Sequence, residues 1–324
     1  MDKKLTPHEA IYDGSYESYV LSYEPPYVYN DPYYSCLVRD EPSQYRWLEA
    51  LRLRLDDEFI KRLLEHEDPP IVPQFIFAAA CKYGNIPLAQ WVLNTYTDHD
   101  DSSMFENDVF SLACENGHLH MAQYLVKVFP NNIPQEVIKR AFYLTCVKGH
   151  LPVAMWLIKV FSKNTFRKVI DNVFLSTCGK GHFHVIMWLV KVFPNNNPQD
   201  VIHEAFHLAS KSGHLYVIKW LFKAFSDIIE RSFIYDTFRM SCDYGHLHIA
   251  KWLYKVFPRI IIKYSECTFI LSCERCSLYV AQWLVKVFPD LISNRVVSAA
   301  LRLACTNYNL HIIRWLIQTF PHMC

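Results

Sequence analysis

The sequence repeats itself with a period of about 32 residues, and this period constrains the fold more than any other feature. Each copy carries a cysteine, once replaced by a serine, and three residues later a glycine or its replacement. The glycine position is occupied in turn by Gly84, Gly117, Gly149, Gly181, Gly213, Gly245, Cys276 and Tyr308. A fixed period of this length indicates a repeat architecture in which one small unit stacks on the next.

Two further columns of residues keep the same period and predict helices. An aromatic column stands seven residues past the glycine position: Trp91, Tyr124, Trp156, Trp188, Trp220, Trp252, Trp283 and Trp315. A phenylalanine column stands four residues before the cysteine position: Phe77, Phe110, Phe142, Phe174, Phe206, Phe238 and Phe269, with Leu301 in the last copy. Residues four apart share one face of a helix. The sequence therefore predicts an all-α chain of about eight helix–turn–helix units, which bury their apolar sides on their neighbours.

The second half of each copy resembles the ankyrin repeat family. The segment Gly-His-Leu-His-Ile-Ala-Lys-Trp-Leu at 245–253 is similar to the family's Gly-His-Leu-x-Ile-Val-x-x-Leu helix, and its Trp-Leu style resembles ankyrin proteins of giant DNA viruses of amoebae. The family's Thr-Pro-Leu-His entry is absent, and Phe-Pro stands where Gly-Ala normally closes the second helix. The resemblance implies an ankyrin-like helical solenoid with β-hairpin fingers reduced or absent. It also implies partner binding on a concave face, with no enzymatic activity.

The two ends of the chain differ in character. Residues 1–45 are rich in tyrosine, proline and acidic residues without a helical period, which favours an irregular segment or a linear motif. Residues 46–73 are predicted to form a capping helix, with Leu48, Leu51, Leu55, Phe59 and Leu63 on its apolar side. Residues 74–324 form the predicted repeat array.

The net charge and the positions of the cysteines limit the partners and the cellular compartment that we expect. The formal net charge is only +1, so the sequence offers no global reason to expect nucleic acid. No apolar stretch approaches the ~20 residues of a membrane helix. Most of the cysteines recur at one repeat position, where they behave as small buried apolar residues. We therefore expect a monomer in a reducing compartment, the cytosol, or the host cytosol or nucleus if the protein is viral.

Motifs that could carry chemistry are explained by the repeat. Cys273 and Cys276 form a Cys-x-x-Cys, but no second pair or βαβ context accompanies it. The His-x-His pairs, such as His246 and His248, place residues two apart, which do not face each other on a helix. The first histidine of each pair is predicted to bond the turn. We expect no catalytic residues, no cofactor and no metal.

A lysine ladder recurs on the second helices at Lys127, Lys159, Lys191, Lys223, Lys255 and Lys286. One interpretation is a solvated face, because lysines cover apolar stems in this way. The alternative is a polyanion-binding solenoid, which would hold nucleic acid or a phosphate-rich partner.

Residues that vary while the frame repeats are the predicted binding surface. Positions three before and one after the cysteine position are four apart, so they share one face of the first helix. The candidate partner-binding residues are Tyr143, His207, Lys211, Arg239, Asp243, Ile270, Glu274 and Arg302. The expected partner is an unidentified protein, of a host cell if the chain is viral. An unselected solvent face would vary in the same way.

Overall fold

The computed structural model describes residues 46–65, 72–96, 108–130, 133–194, 199–263 and 265–322. Every regular element within these ranges is a helix, and they contain no strand. The all-α prediction is therefore confirmed for the described residues. The tyrosine-rich segment 1–45 and residues 195–198 lie outside them.

The helices fall into two compact units, which divide after Phe142. The sequence predicted one array over residues 74–324, and its columns do not reveal this division, because the same residue types occupy them on both sides. The first unit contains α1 (Arg46–Arg52), α2 (Asp57–Glu65), α3 (Pro73–Tyr83), α4 (Ile86–Tyr96), α5 (Val109–Glu115) and α6 (Leu119–Val128). The boundary falls within α7 (Gln135–Val147).

The second unit continues the same alternation of helices. Its elements after α7 are α8 (Leu151–Phe161), α9 (Ile170–Lys180), α10 (Phe183–Val192), α11 (Gln199–Lys211), α12 (Leu215–Ala224), α13 (Arg231–Asp243), α14 (Leu247–Val256), α15 (Pro258–Ile262), α16 (Ser265–Glu274), α17 (Leu278–Val287), α18 (Asn294–Thr306) and α19 (Leu310–Thr319). Short 3-10 helices lie at Lys163–Phe166, Ser226–Ile228 and Pro289–Leu291. Between repeats the described connections are thus short turns or single helical turns.

Neighbouring helices pack in a regular order within each unit. In the second unit α9 packs on α11, α11 on α13, α13 on α16 and α16 on α18, so the first helix of each pair contacts the first helix of the next. The second helices α12, α14, α17 and α19 each pack on the first helix of their own pair. In the first unit α3 packs on both α4 and α5 in the same manner. Each pair therefore buries its apolar sides on its neighbours.

The predicted single capping helix is wrong: it is two helices, broken after Arg52. Arg54 has a φ of 55°, in the left-handed region, and this turn shifts the phase of α2. Leu55 and Phe59 are consequently exposed, whereas Ile60 is buried in their place. The pair still packs on α3 and α4, with Trp47 edge-on to a phenylalanine of α3 at 5.6 Å between ring centroids.

The phenylalanine column and the cysteine position form the buried seam, as predicted. All seven phenylalanines are buried, as are Cys81, Cys114, Cys146, Cys178, Cys242 and Cys273. Burial raises the pKa of each of these thiols, in Cys273 to about 12, which keeps them protonated. Cys305 departs from the expectation and is exposed, because no further described helix pair packs on α18.

The second helices show a narrower apolar face than their sequence suggests. In α14, Ile249, Ala250 and Leu253 are fully buried, but Trp252 is only half-buried and Val256 is 47% exposed. Phe257 follows with a φ of −128°, outside the helical region, as expected for a residue before proline. The phenylalanine at this position packs edge-on to the tryptophan of its own helix in several copies, at centroid distances of 6.0–6.4 Å. The aromatic column therefore lies at the border of the core.

In several copies a polar side chain after the turn bonds the turn of the preceding pair. His214 Nε2 lies 3.0 Å from the carbonyl oxygen of Gly179, and His246 Nε2 lies 2.8 Å from that of Lys211. Ser277 Oγ donates to the Asp243 carbonyl at 3.2 Å in the same place. These bonds satisfy carbonyls at the end of a helix, which otherwise lack partners. The prediction that the first histidine of a His-x-His pair bonds a turn is confirmed for His246, but the turn belongs to the neighbouring repeat.

This bond makes the turn glycine a contact residue between repeats. Gly181 has a φ of 77°, and a Cβ added there would lie 2.5 Å from Nδ1 of His214. At Gly245, where the facing residue is Ser277, the nearest atom would be 3.5 Å away. Both glycines need the left-handed conformation, but only Gly181 also needs the empty space.

In the described ranges no helix is both long enough and apolar enough to cross a bilayer.

A double-mutant cycle tests the contact between the turn glycine and the next repeat. We expect Gly181→Ala to lower the free energy of unfolding by about 2 kcal/mol or more, since the strain of a left-handed alanine adds to the clash with His214. In a His214→Ser background the loss should fall to about 1 kcal/mol, the strain alone. Urea unfolding followed by circular dichroism measures both values.

Gly245→Ala is the matched control, because it carries the same strain opposite Ser277 rather than a histidine. It should cost about as much as Gly181→Ala does in the His214→Ser background. Equal losses for Gly181→Ala and Gly245→Ala in the wild-type chain would contradict the contact.

Candidate protein-binding surface on the first helices

The eight candidate residues all lie in the second unit, on five first helices. Tyr143 is on α7, His207 and Lys211 on α11, Arg239 and Asp243 on α13, Ile270 and Glu274 on α16, and Arg302 on α18. Lys211 and Arg302 are exposed and the other six are half-buried. Since α11, α13, α16 and α18 pack in sequence, their residues form one continuous face.

Residues three positions before the cysteine position lie at the surface in only some of the copies. Ala78, Ser111 and Leu175 occupy it in other copies, and all three are buried. Their side chains fill the contact between adjacent first helices. Variation in this column therefore reflects packing in those three copies, whereas Tyr143, His207, Arg239 and Ile270 are half-buried and Arg302 is exposed.

Arg239 and Asp243 hold each other on α13. The Arg239 guanidinium donates to the Asp243 carboxylate at 3.2 Å, and the side chain of Asp243 is only 8% exposed. Burial raises the pKa of Asp243, while Arg239 and Arg275 act to lower it. Asp243 thus anchors the arginine, which is 35% exposed and is the member of the pair that a partner could reach.

His207 lies beside this pair in a cationic setting. Burial lowers the pKa of His207, and the charges of Arg239 and Lys211 lower it further. Glu204 Oε1 is 3.8 Å from its Nδ1, too far for a hydrogen bond. Because its pKa lies below the ordinary value of 6.5, the imidazole is neutral at pH 7. Its Nδ1 is buried, so a partner can meet only Nε2, which donates or accepts according to the tautomer.

The structure adds residues to this face that sequence reasoning missed. His203 stacks on Phe233 at 4.1 Å between ring centroids and lies 3.5 Å from the carboxylate of Asp236. Tyr235 lies on the same face of α13 as Arg239, one turn earlier. These positions fall seven residues before the cysteine position, so extending the i, i+4 series by one more turn would have found them.

A recess lies at each end of α13. A groove of about 770 Å³ at its start is lined by Arg231, Tyr235, Pro258 and Arg259, among others. A cleft of about 490 Å³ at its end is lined by residues that include Tyr244, Arg275 and Tyr279. Asp243 lines the cleft at the end of α13, and Arg239 lies one turn before it.

The motifs considered for metal or redox chemistry do not converge. Cys273 is buried and Cys276 exposed, and the pKa of Cys273 is raised by burial. The rings of His246 and His248 each lie at hydrogen-bond distance from a backbone carbonyl, at 2.8 and 3.0 Å. Across the described ranges, no three His, Cys, Asp or Glu side chains come together as a metal site would require.

No protein-family model matches the chain, and no curated protein matches it significantly.

The protonation of His207 should be visible in the stability of the fold. Because the folded pKa lies below that of the unfolded chain, the unfolded state binds more protons near pH 6, and stability falls as pH drops below 6.5. We expect His207→Gln to reduce the loss of stability between pH 7.5 and pH 5.5. Urea midpoints at four pH values measure this slope.

The slope should diminish without vanishing, since burial also lowers the pKa of His214. A His207→Gln variant with the full wild-type slope would show that this imidazole does not resist protonation in the folded state.

Proposed function

We propose that this chain is a non-enzymatic, ankyrin-like helical solenoid that binds a partner protein on the first-helix face of its second unit. One observation carries the proposal. The repeated residues are used in packing and turns, whereas the varied residues of α11, α13, α16 and α18 are partly exposed on one continuous face. A constant frame with one variable face is the usual arrangement of a repeat protein that recognises a partner.

The setting of the potentially reactive groups supports a non-enzymatic role. The buried cysteines carry a raised pKa, so they are poor nucleophiles. Buried hydroxyls such as those of Thr177, Thr237 and Ser241 donate to the carbonyl four residues earlier in their own helix. These buried thiols and hydroxyls therefore contribute to packing and to hydrogen bonding within the helices.

The resemblance to ankyrin proteins of giant DNA viruses of amoebae makes a host-cell protein the proposed partner, met in the cytosol or nucleus. Free thiols at the buried positions are consistent with a reducing compartment. We propose that the chain acts as a monomer.

The alternative function is polyanion binding through the lysine ladder, but the lysines of the ladder can also be explained by helix stability. Each ladder lysine lies in the last turn of its helix, as Lys191 does in α10 and Lys286 in α17. A cation there interacts favourably with the negative end of the helix dipole, by roughly 0.3–1 kcal/mol. Helix stability therefore accounts for the ladder as a whole, and we favour the first-helix face.

A four-residue variant tests the proposed surface. We expect Tyr143→Ala, His207→Ala, Ile270→Ala and Arg302→Ala together to abolish partner capture from a host-cell lysate, because all four are candidate partner-binding residues that are half-buried or exposed. Arg239 is left in place, since its removal would strand the buried Asp243 carboxylate. Affinity purification with quantitative mass spectrometry measures the capture, and circular dichroism verifies the helical content.

The control replaces four exposed second-helix residues, Met155, Met187, Gln282 and Gln318, with alanine. It should retain the captured partner. If the control loses the partner, or the first-helix variant keeps it, the binding surface has been placed on the wrong face.

A further inference from the structure

The second helices of the second unit carry only positive charge. Their sequences contain no aspartate or glutamate in any of the six helices α8, α10, α12, α14, α17 and α19. The basic residues on them are Lys159, Lys191, Lys219, Lys223, Lys251, Lys255, Lys286 and Arg314, and all are exposed. Within the described ranges none forms an ion pair.

The helix dipole does not account for all of these cations. Lys219 lies one turn before Lys223 in α12, and Lys251 one turn before Lys255 in α14. Like charges at i and i+4 repel and destabilise a helix. The two helices belong to consecutive pairs, so the four lysines form one exposed group, which we call the lysine quartet.

Local contacts offset this repulsion only in small part. Lys219 Nζ lies 5.8 Å from the centroid of the Trp252 ring, a cation–π contact at the edge of the useful range. The acidic residue nearest in sequence, Asp227, accepts from Ser226 Oγ at 3.2 Å and does not pair with Lys223. Downstream of Lys255 the next charges are Arg259 and Lys263, which are also positive. The fold thus retains a cluster that works against its own stability.

We infer that the lysine quartet is a docking surface for an acidic peptide segment of the partner protein. Lysines four apart on a helix are separated by about 6 Å along its axis. In an extended peptide, alternate residues on one side are about 6.6 Å apart, so a segment with Asp or Glu at every second position matches each lysine pair. Side chains of α12 and α14 contact each other, as Phe222 and Trp252 do at 5.4 Å between ring centroids, so the two lysine pairs are neighbours that one such segment can meet.

Single-stranded nucleic acid fits the same surface less well. Sequence-tolerant binding of single strands depends on aromatic faces on which bases stack. Trp220 and Trp252 are half-buried and make edge contacts, at 6.0 Å with Phe225 and at 5.4 Å with Phe222. The carboxylates of a peptide, in contrast, can be bound by the ammonium groups of the lysine quartet alone, without aromatic faces.

The inference rests on the proposed function as a protein-binding chain but concerns a separate face, so the two can fail independently. The test uses the full chain and a fluorescein-labelled 12-residue peptide of alternating Glu and Ser, followed by fluorescence anisotropy at low salt. We expect Lys219→Glu with Lys251→Glu to weaken peptide binding at least about tenfold, by removing two attractive pairs and adding repulsion. The melting temperature should equal or exceed that of the wild type, because each new glutamate precedes a lysine by four residues.

The matched control is Lys159→Glu with Lys191→Glu, which changes the net charge equally on α8 and α10. It should weaken binding less than about threefold. An equal loss in both variants, no binding of the Glu peptide by the wild type, or tighter binding of a 12-nucleotide single strand than of the peptide would each overturn the inference. The first-helix alanine variant should bind the peptide normally, which separates this result from the test of the partner-binding face.

Discussion

The structure depends on the burial of apolar sides between consecutive helix pairs. A first helix such as α13 is apolar toward α11, toward α16 and toward its own second helix, so an isolated pair would expose most of what it buries here. The phenylalanine column supplies the largest side chains of this seam, and all seven are buried. Burying a side chain of that size contributes roughly 1.5–3 kcal/mol, so the seam outweighs any single polar contact between pairs.

Polar contacts between pairs set the register of this packing. In several copies the side chain after the turn bonds a carbonyl of the preceding turn, as His214, His246, Ser277 and Asn309 do. Where that side chain is a histidine, as opposite Gly181 and Gly213, the missing Cβ of the glycine leaves room for it. Residues that replace the glycine and the histidine in other copies keep the same backbone conformation and the same kind of bond. Cys276 keeps a left-handed φ of 61°, and the facing residue is Asn309, whose Nδ2 donates to the Glu274 carbonyl at 2.6 Å. Gly245, in contrast, is kept although the residue that faces it is Ser277, so loss of the histidine does not by itself remove the glycine.

Sequence reasoning could predict the helices and the seam because both follow from local periods. The phenylalanine column, the turn glycines and the helix ends at Phe-Pro each depend on a few neighbouring residues. What the sequence could not reveal depends on contacts between distant residues: the break at Arg54, the exposure of Cys305, and the bond from His214 to the repeat before it. The candidate surface, too, could be predicted only in part. Arg302 is exposed as expected, but Leu175, which occupies the same repeat position as Arg302, is buried. Asp243 is engaged in the ion pair with Arg239.

Some lysines of the second helices are explained by helix stability, and others are not. In the last turn, a lysine faces the negative end of the helix, and its presence in six copies needs no partner. One turn earlier the only favourable local contact described is that of Lys219 with the Trp252 ring, and Lys219 and Lys251 repel the lysines that follow them. Positions where a chain departs from local preference without compensation in the fold are where recognition by another molecule is expected. The lysine quartet meets that criterion, whereas on the first-helix face Arg239 is already compensated by its ion pair with Asp243.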